Sequence, residues 1–368
     1  MKKSTLIIIC IIFVFVLFSN SYSVYAFDGE TDNPYVVYTI SGEYLFEKSS
    51  VEVGDNYISK DFQMYEISSV NTENKTAIAV FVKELKKPNV SVNPYKKKIE
   101  SSPDKKICLY LTHNDESYVP TDGYDSVYGA GGVHDVAKAI KTSFENLGID
   151  VVLDETLHIP HDTSAYSRSN LTAKKLLKNN APDAIFDIHR DGVSRKYYAT
   201  TVNGVERSKI RIVVGQANSN YEENLEFATY LLAVSEENYP WLFSDIYMAK
   251  GHYNQGLYNK ALLFEMGTYL IEKELVLASV KPLTEVISTA LYSTTVDSGS
   301  GEIVVGGNKT EETPTVNEHL NNLEEKKQND EILTIVTISI TSIIVVGVIC
   351  AIVYFNVFNK KDKTKRKK

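Results

Sequence analysis

The stretch that decides the fold class is an apolar run ending in charged residues: Ala184-Ile185-Phe186-Asp187-Ile188-His189-Arg190-Asp191-Gly192. Such a run is typical of a buried strand. Two other stretches have the same form, Leu109-Tyr110-Leu111-Thr112-His113-Asn114-Asp115-Glu116-Ser117-Tyr118 and Ala261-Leu262-Leu263-Phe264-Glu265-Met266-Gly267. Functional groups of α/β sheets collect where strands end in loops. The three stretches therefore predict one site.

In the region around these stretches, segments with the periodicity of strands alternate with segments that have the periodicity of helices. Strand patterns occur at 107–111, 149–153, 184–188, 210–214 and 261–264, and helical patterns at 133–147, 170–177, 222–235 and 270–291. The last helix carries Pro282, which can break it. This alternation predicts an α/β fold, a three-layer sandwich with a mostly parallel or mixed sheet, over a catalytic domain at 105–295.

The segments on either side of this domain have different residue patterns from it. Residues 27–90 read as a small antiparallel β-rich module to which no chemistry is assigned, and 91–104 as a linker. Residues 296–331 are rich in Gly, Thr, Glu and Asn, which predicts a flexible stalk.

Both ends of the chain are apolar. Lys2 and Lys3 precede thirteen apolar residues, Leu6–Phe18, which predicts a signal peptide at 1–26, or alternatively an uncleaved anchor. Residues 332–356 predict a transmembrane helix, and the basic segment 357–368 a cytoplasmic tail. The sequence thus predicts a single-pass, membrane-anchored protein whose catalytic domain is extracytoplasmic.

Charge and cysteine content exclude several classes of protein. The net charge is −8 although the last nine residues carry seven basic side chains, so the body is acidic and no nucleic acid is expected as a partner. Of the three cysteines, Cys10 and Cys350 lie in the apolar ends, which leaves Cys108 alone in the body. An intrachain disulfide and a cysteine-based zinc site are therefore excluded.

The polar residues of the three stretches suit a hydrolytic zinc site. Two histidines and one carboxylate are a common ligand set for catalytic Zn²⁺, and His113, Glu116 and His189 can supply it. Glu265 is then the candidate general base. His134 is an alternative to Glu116 as the third ligand.

Other polar residues are assigned around this centre. Arg190 and Arg168 are candidates for binding a substrate carboxylate, His252 for contacting substrate, and Asp187 for orienting a ligand histidine. The pair His158 and His161 is interpreted as loop residues, one of which can line the cleft.

The same motifs, together with Ala165-Tyr166-Ser167-Arg168-Ser169 and Tyr253-Asn254-Gln255, resemble the stage II sporulation protein P family over residues 105–293. The resemblance implies a zinc-dependent N-acetylmuramoyl-L-alanine amidase of peptidoglycan, with endopeptidase activity on crosslinks and stage II sporulation D- and M-type partners at the forespore septum. It implies His113, Glu116 and His189 as ligands, Glu265 as base and Asn254 near the substrate.

The chain departs from the family pattern in two ways. Many members carry a histidine where this chain has Leu111, and most are held in the membrane by an N-terminal segment. In related amidases the ligand Glu lies near the start of the first helix, where this chain reads Gly132-Val133-His134-Asp135, so the third ligand stays open. A zinc endopeptidase or carboxypeptidase acting on stem peptides, and a non-catalytic wall-binding protein, remain alternatives.

Overall fold

The computed structural model describes residues 33–90 and 105–292, together with the backbone of two short strands that pair antiparallel, Thr294–Val296 and Ile303–Val305. The predicted signal peptide, linker, transmembrane helix and basic tail lie outside the described residues, as does most of the predicted stalk. Within the described part, one sheet of eleven strands extends through the chain.

The strands are β1 (Tyr35–Thr39), β2 (Tyr44–Lys48), β3 (Asn56–Ser59), β4 (Gln63–Asn71), β5 (Thr76–Glu84), β6 (Lys106–Tyr110), β7 (Asp150–Asp154), β8 (Ala184–Asp191), β9 (Ala199–Val202), β10 (Val205–Ser208), β11 (Ile210–Gly215), β12 (Phe243–Ala249) and β13 (Ala261–Thr268). The helices are α1 (Val119–Asp122), α2 (Val133–Asn146), α3 (Ala165–Asn180), α4 (Arg195–Tyr198), α5 (Tyr221–Asn238) and α6 (Lys273–Tyr292). A 3₁₀ turn, Gln255–Leu257, precedes β13.

The large sheet is mixed, as the sequence predicted. Its strand order is β2-β1-β5-β4-β3-β12-β11-β13-β8-β6-β7, and β9 and β10 form a separate hairpin. Strands β13, β8, β6 and β7 are parallel neighbours, whereas β11 runs antiparallel to β13 and parallel to β12. The protein is thus an α/β protein in which both strand directions occur in one sheet.

Alternation along the central strands separates an apolar face from a polar one. Phe186 of β8 and Phe264 of β13 pack together with ring centroids 5.0 Å apart, and Phe186 also stacks on Phe227 of α5. Helix α6 packs against both α2 and α5, so these three helices form one layer. Residues one position away, such as His189 and Glu265, face the opposite side of the sheet.

The first five strands continue the same sheet and curl over its polar face. Strand β3 pairs antiparallel with β12, which joins the two regions. Although four strands separate β2 from β12 in the sheet order, Phe46 of β2 contacts Tyr247 of β12 with ring centroids 5.5 Å apart. The same ring stacks on Tyr57 of β3 at 4.5 Å. Strand β1 pairs in parallel with β5, so this region is mixed where the sequence predicted an antiparallel module.

Several elements differ from the sequence prediction, each for a physical reason. Strand β12 was not predicted, because Ser244 and Asp245 interrupt its apolar pattern, yet Asp245 is fully buried against a cation. Strands β8 and β13 continue past Ile188 and Phe264, since the polar residues that follow are buried and paired.

Helix α6 is continuous through Pro282, whereas the sequence indicated a break there. In the part of the chain that the structure describes, α6 also has the length and composition needed to cross a membrane, but 56% of its apolar window is buried inside the protein. It therefore serves as a core helix of the α/β domain.

Candidate metal centre

Three of the predicted residues meet on the polar face of the sheet. One possible donor atom each from His113, Glu116 and His189 lies within 4.8 Å of the other two, and all three residues are buried. The Nδ1 atoms of both imidazoles point to the same carboxylate oxygen: Glu116 Oε1 is 3.2 Å from His113 Nδ1 and 3.5 Å from His189 Nδ1. We refer to these three residues as the HEH centre.

The loop after β6 holds His113 and Glu116 in place. Residues 112–118 follow the strand directly, and the backbone N–H of Gly131 donates to the carbonyl of Asn114 at 3.0 Å. A Cβ at Gly131 would lie 2.2 Å from the carbonyl oxygen of Glu116, so only glycine permits this approach. The close contact fixes Glu116 against the start of α2.

Strand β8 supplies His189 and the residue that orients it. Asp187 Oδ1 lies 3.1 Å from His189 Nε2, which leaves Nδ1 facing Glu116. Asp187 is itself fixed, because it accepts hydrogen bonds from the backbone N–H and the hydroxyl of Thr112 at 2.9 and 2.6 Å. A carboxylate behind a ligand histidine is a frequent arrangement in metal sites.

The electrostatics of the HEH centre favour a cation. Burial disfavours the ionised form of Glu116, but His189 and His113 outweigh burial and hold the pKa of Glu116 well below its usual value. Burial likewise disfavours imidazolium at His189, yet Asp187 and Glu116 raise its pKa well above the usual value. At His113 burial dominates and lowers the pKa. Two imidazole nitrogens and one carboxylate, all buried, form a donor set that could hold a metal ion.

Glu265 lies directly beside this centre. Its Cα is paired in register with that of His189 on the neighbouring parallel strand, so both side chains project from the same face. Glu265 is buried, and the Nζ of Lys48 contacts its Oε1 at 3.1 Å.

Beyond Glu265 lies a buried charge network formed by Lys48, Asp191, Arg211, Asp245 and Glu265, whose side chains are at most 4% exposed. Arg211 donates to both carboxylate oxygens of Asp245 at 2.7 and 3.0 Å, and to Asp191 Oδ2 at 2.9 Å. Three carboxylates thus face two cations. The surplus of negative charge lies next to the HEH centre.

The two arginines that were predicted to bind substrate donate hydrogen bonds to backbone carbonyls of the protein itself. Arg190 donates to the carbonyls of Ser117 and Asp125 at 3.1 and 2.7 Å, and Arg168 donates to the carbonyls of His158 and Pro160. Both guanidinium groups therefore brace loops around the HEH centre.

Asn254 and His252 lie on the segment that precedes β13. Asn254 donates to the carbonyl of Tyr166 and to Ser169 of α3, whereas His252 is exposed. Substrate binding by Arg168, Arg190, His252 and Asn254 stays a prediction.

The structure gives different contacts to the three other histidines considered for the site, His134, His158 and His161. His134 contacts Glu155 at 3.0 Å and does not belong to the HEH centre. His158 lies between the carbonyl of Leu111 and the hydroxyl of Thr172, a structural role. His161 stacks on His113 with centroids 3.9 Å apart and contacts Asp115 at 3.0 Å, so it is the histidine of this pair that lies at the site.

Sequence reasoning did not assign Tyr166, Lys48, Asp191 or Arg211 to the site. Tyr166 packs edge-on against His113 and parallel to His189, at 5.5 and 6.2 Å. Its only signal was its place in the motif Ala165-Tyr166-Ser167-Arg168-Ser169. The other three are charged residues on strands, and only the folded sheet brings them together.

Comparison with known proteins agrees with the motifs. The family model described as stage II sporulation protein P matches residues 31–288. The chain belongs to this family. A curated stage II sporulation protein P of Bacillus subtilis (strain 168) is 30% identical over 187 residues, which is 46% of this chain and 47% of that protein. The match therefore spans about half the length of the curated relative.

Solved structures of low similarity were also found. An N-acetylmuramyl-L-alanine amidase, Ami1, from Mycobacterium smegmatis is 13% identical, with 50% of this chain and 95% of that one covered and a TM-score of 0.35. An N-acetylmuramoyl-L-alanine amidase from Clostridium difficile 630 is 14% identical, with 52% and 99% covered and a TM-score of 0.33.

Proposed function

We propose that this chain is a peptidoglycan hydrolase, a zinc-dependent N-acetylmuramoyl-L-alanine amidase that cuts the amide between muramic acid and the stem peptide. The observation that supports it most is the HEH centre, with its three donor atoms within 4.8 Å of one another beside a buried glutamate, in a chain of the stage II sporulation protein P family. Paired imidazoles and a carboxylate are typical of sites for metal-assisted amide hydrolysis.

His113, Glu116 and His189 would hold the ion. A bound zinc ion would supply Lewis acidity, which polarises an amide carbonyl and makes water acidic near pH 7. The Asp187 carboxylate lies 3.1 Å from the Nε2 of His189, on the side of the ring away from the Nδ1 that faces the centre. Burial of all three ligand residues limits competing water around the donor atoms.

Glu265 is the proposed general base and acid. Its carboxylate accepts a proton from the attacking water and returns it to the nitrogen of the leaving amine, so that the peptide departs as a neutral amine. The strand pairing of Glu265 with His189 supports this role, because it puts the carboxylate next to the ligand set without making it a member.

The cellular setting is also a proposal. The sequence of the two ends supports an extracytoplasmic domain anchored by a C-terminal membrane helix, and family membership supports septal wall remodelling during sporulation engulfment. Stage II sporulation D- and M-type proteins are the partners that the family resemblance implies.

The test is digestion of purified peptidoglycan with the full-length chain loaded with zinc. Mass spectrometry should find stem peptides with a free N-terminal alanine and glycan strands that have lost them. Shortened peptides still joined to glycan would instead identify an endopeptidase, and intact peptidoglycan would overturn the proposal.

A matched pair of variants tests the base. Glu265→Gln should abolish turnover while the zinc content stays at one ion per chain. Glu272→Gln, the same substitution at a half-buried residue that pairs with Arg195, should retain activity. Full activity of Glu265→Gln would exclude Glu265 as the base.

A further inference from the structure

Lys48 brings the N-terminal strands into contact with the proposed catalytic machinery. It is the last residue of β2, its side chain is 4% exposed, and its Nζ lies 3.1 Å from both Glu265 Oε1 and Asp191 Oδ1. A buried ammonium is costly unless it is paired, and here it bridges two carboxylates. The residue pattern of 27–90 had indicated no chemistry in this region.

Asp191 has further donors, so it does not depend on Lys48 alone. Tyr198 and Arg211 donate to its Oδ2 at 2.9 Å each, and the backbone N–H of Gly192 donates to its Oδ1 at 2.8 Å. Asp191 is thereby fixed, and it holds the ammonium of Lys48 in turn. The second contact of Lys48 is directed at Glu265.

The groups around Glu265 show what the contact with Lys48 contributes to this carboxylate. Besides Lys48, the charged or titratable groups near Glu265 include Asp191, Arg211 on the adjacent strand β11, and the phenols of Tyr118 and Tyr198. Arg211 is committed to Asp245 and Asp191, and the phenols are not cations. Lys48 therefore supplies direct cationic contact at the carboxylate.

We propose that Lys48 is a positioning residue of the hydrolytic site, holding the carboxylate of Glu265 in a fixed rotamer beside His189. The inference rests on the proposed function and deepens it: the site is built from both regions of the sheet, and the N-terminal strands complete it. A general base must lie within hydrogen-bond reach of the proton that it accepts, and the 3.1 Å contact with the Lys48 ammonium restrains where the Glu265 carboxylate can lie.

The kinetic test compares Lys48→Met and Lys48→Arg with the wild type, all zinc-loaded and full-length, on purified peptidoglycan. Lys48→Met should lower kcat at least ~10-fold, with KM within ~2-fold and zinc content unchanged, because general-base catalysis contributes ~10²–10⁴-fold. Lys48→Arg should recover part of the lost kcat. The control is Lys196→Met, which removes a 72% exposed ammonium that contacts Glu47 instead; it should match the wild type.

A second readout does not depend on activity. In metal-free protein, Lys48→Met should lower the Tm, because it leaves two buried carboxylates without their shared cation. Adding Glu265→Gln should raise the Tm of the Lys48→Met variant and not that of the wild type. If Lys48→Met fails to fold, Lys48→Gln carries both tests with the same thresholds.

The outcomes separate the two proposals. An active wild type together with an unchanged kcat in Lys48→Met overturns the role of Lys48 alone, and so do Tm effects that simply add in the double variant. A wild type inactive on peptidoglycan overturns the proposed function and, with it, the positioning role of Lys48 in hydrolysis.

Discussion

One carboxylate oxygen of Glu116, Oε2, accepts a hydrogen bond from the backbone N–H of Arg190 at 3.0 Å. Arg190 follows His189 directly, so this contact joins two of the three stretches that carry the HEH centre. The other oxygen, Oε1, faces both imidazoles. Glu116 thus fixes the separation of the two histidines even before an ion is considered.

Zinc binding should be visible as stabilisation of the folded state. Because the HEH centre exists only in the folded chain, zinc at ~100 times its Kd should raise the free energy of unfolding by ~2.7 kcal/mol. His189→Ala and Glu116→Ala should abolish this gain, measured by thermal unfolding with and without zinc.

His134→Ala is the control for the ligand set. His134 contacts Glu155 and not the HEH centre, so this variant should keep the zinc-dependent shift in Tm. Loss of the shift in His134→Ala, with the shift retained in Glu116→Ala, would assign the third ligand to His134.

Asp187 should matter for metal affinity more than for the fold. Asp187→Asn keeps a carbonyl that can accept from Thr112 but weakens the contact with His189 Nε2. Loss of such a supporting carboxylate typically lowers metal affinity ~10–100-fold. Competition with a chelator measures the effect.

The matched control for this substitution is Asp150→Asn. Asp150 is a surface residue, 57% exposed, that pairs with Lys106, and it should leave zinc affinity unchanged. Equal affinities for Asp187→Asn and Asp150→Asn would contradict an orienting role for Asp187.

Gly131→Ala should disturb both the fold and the ion site. The added Cβ would meet the carbonyl oxygen of Glu116 at 2.2 Å, and relief of such a clash requires a backbone shift that costs ~1–3 kcal/mol. We expect a lower Tm and weaker zinc binding. Gly204→Ala, which meets no atom within 4 Å but has a positive φ of 79°, should lower the Tm without changing zinc affinity.

Arg211 should be among the most sensitive positions for stability. Its guanidinium is fully buried against Asp245 and Asp191, so Arg211→Met should cost ~3–5 kcal/mol by leaving the buried Asp245 without its ion-pair partner and Asp191 with Lys48 alone. Arg195→Met removes a partly solvated pair with Glu272 and should cost at most ~1 kcal/mol. Urea unfolding measures both, and similar costs for the two variants would contradict the assigned network.

The sequence was informative wherever the signal was local. Apolar runs ending in His113, His189 and Glu265 predicted strands of one α/β sheet, and the sheet indeed brings these residues to one face. The spacing of His113 and Glu116 within one loop was enough to suggest a shared ion. Such patterns involve only a few neighbouring residues, so they can be recognised without knowledge of the strand order.

The charge network could not be predicted in this way. Lys48 and Asp191 are 143 positions apart, and Lys48 and Glu265 are 217 apart. Three successive buried residues, Phe46 to Lys48, also break the alternation of an ordinary strand, because β2 packs against residues of the distant strands β12 and β13 of the same sheet. Only the strand order reveals that a lysine from the first strands reaches Glu265.

This long-range contact sets an order of assembly. Ordering a loop of more than two hundred residues costs chain entropy before any contact is made, so we expect the Lys48–Glu265 pair to form late in folding. A chain that lacks its first strands would then hold Glu265, the proposed general base, without the ammonium that restrains it. The proposed hydrolytic activity would therefore require that the whole domain has folded.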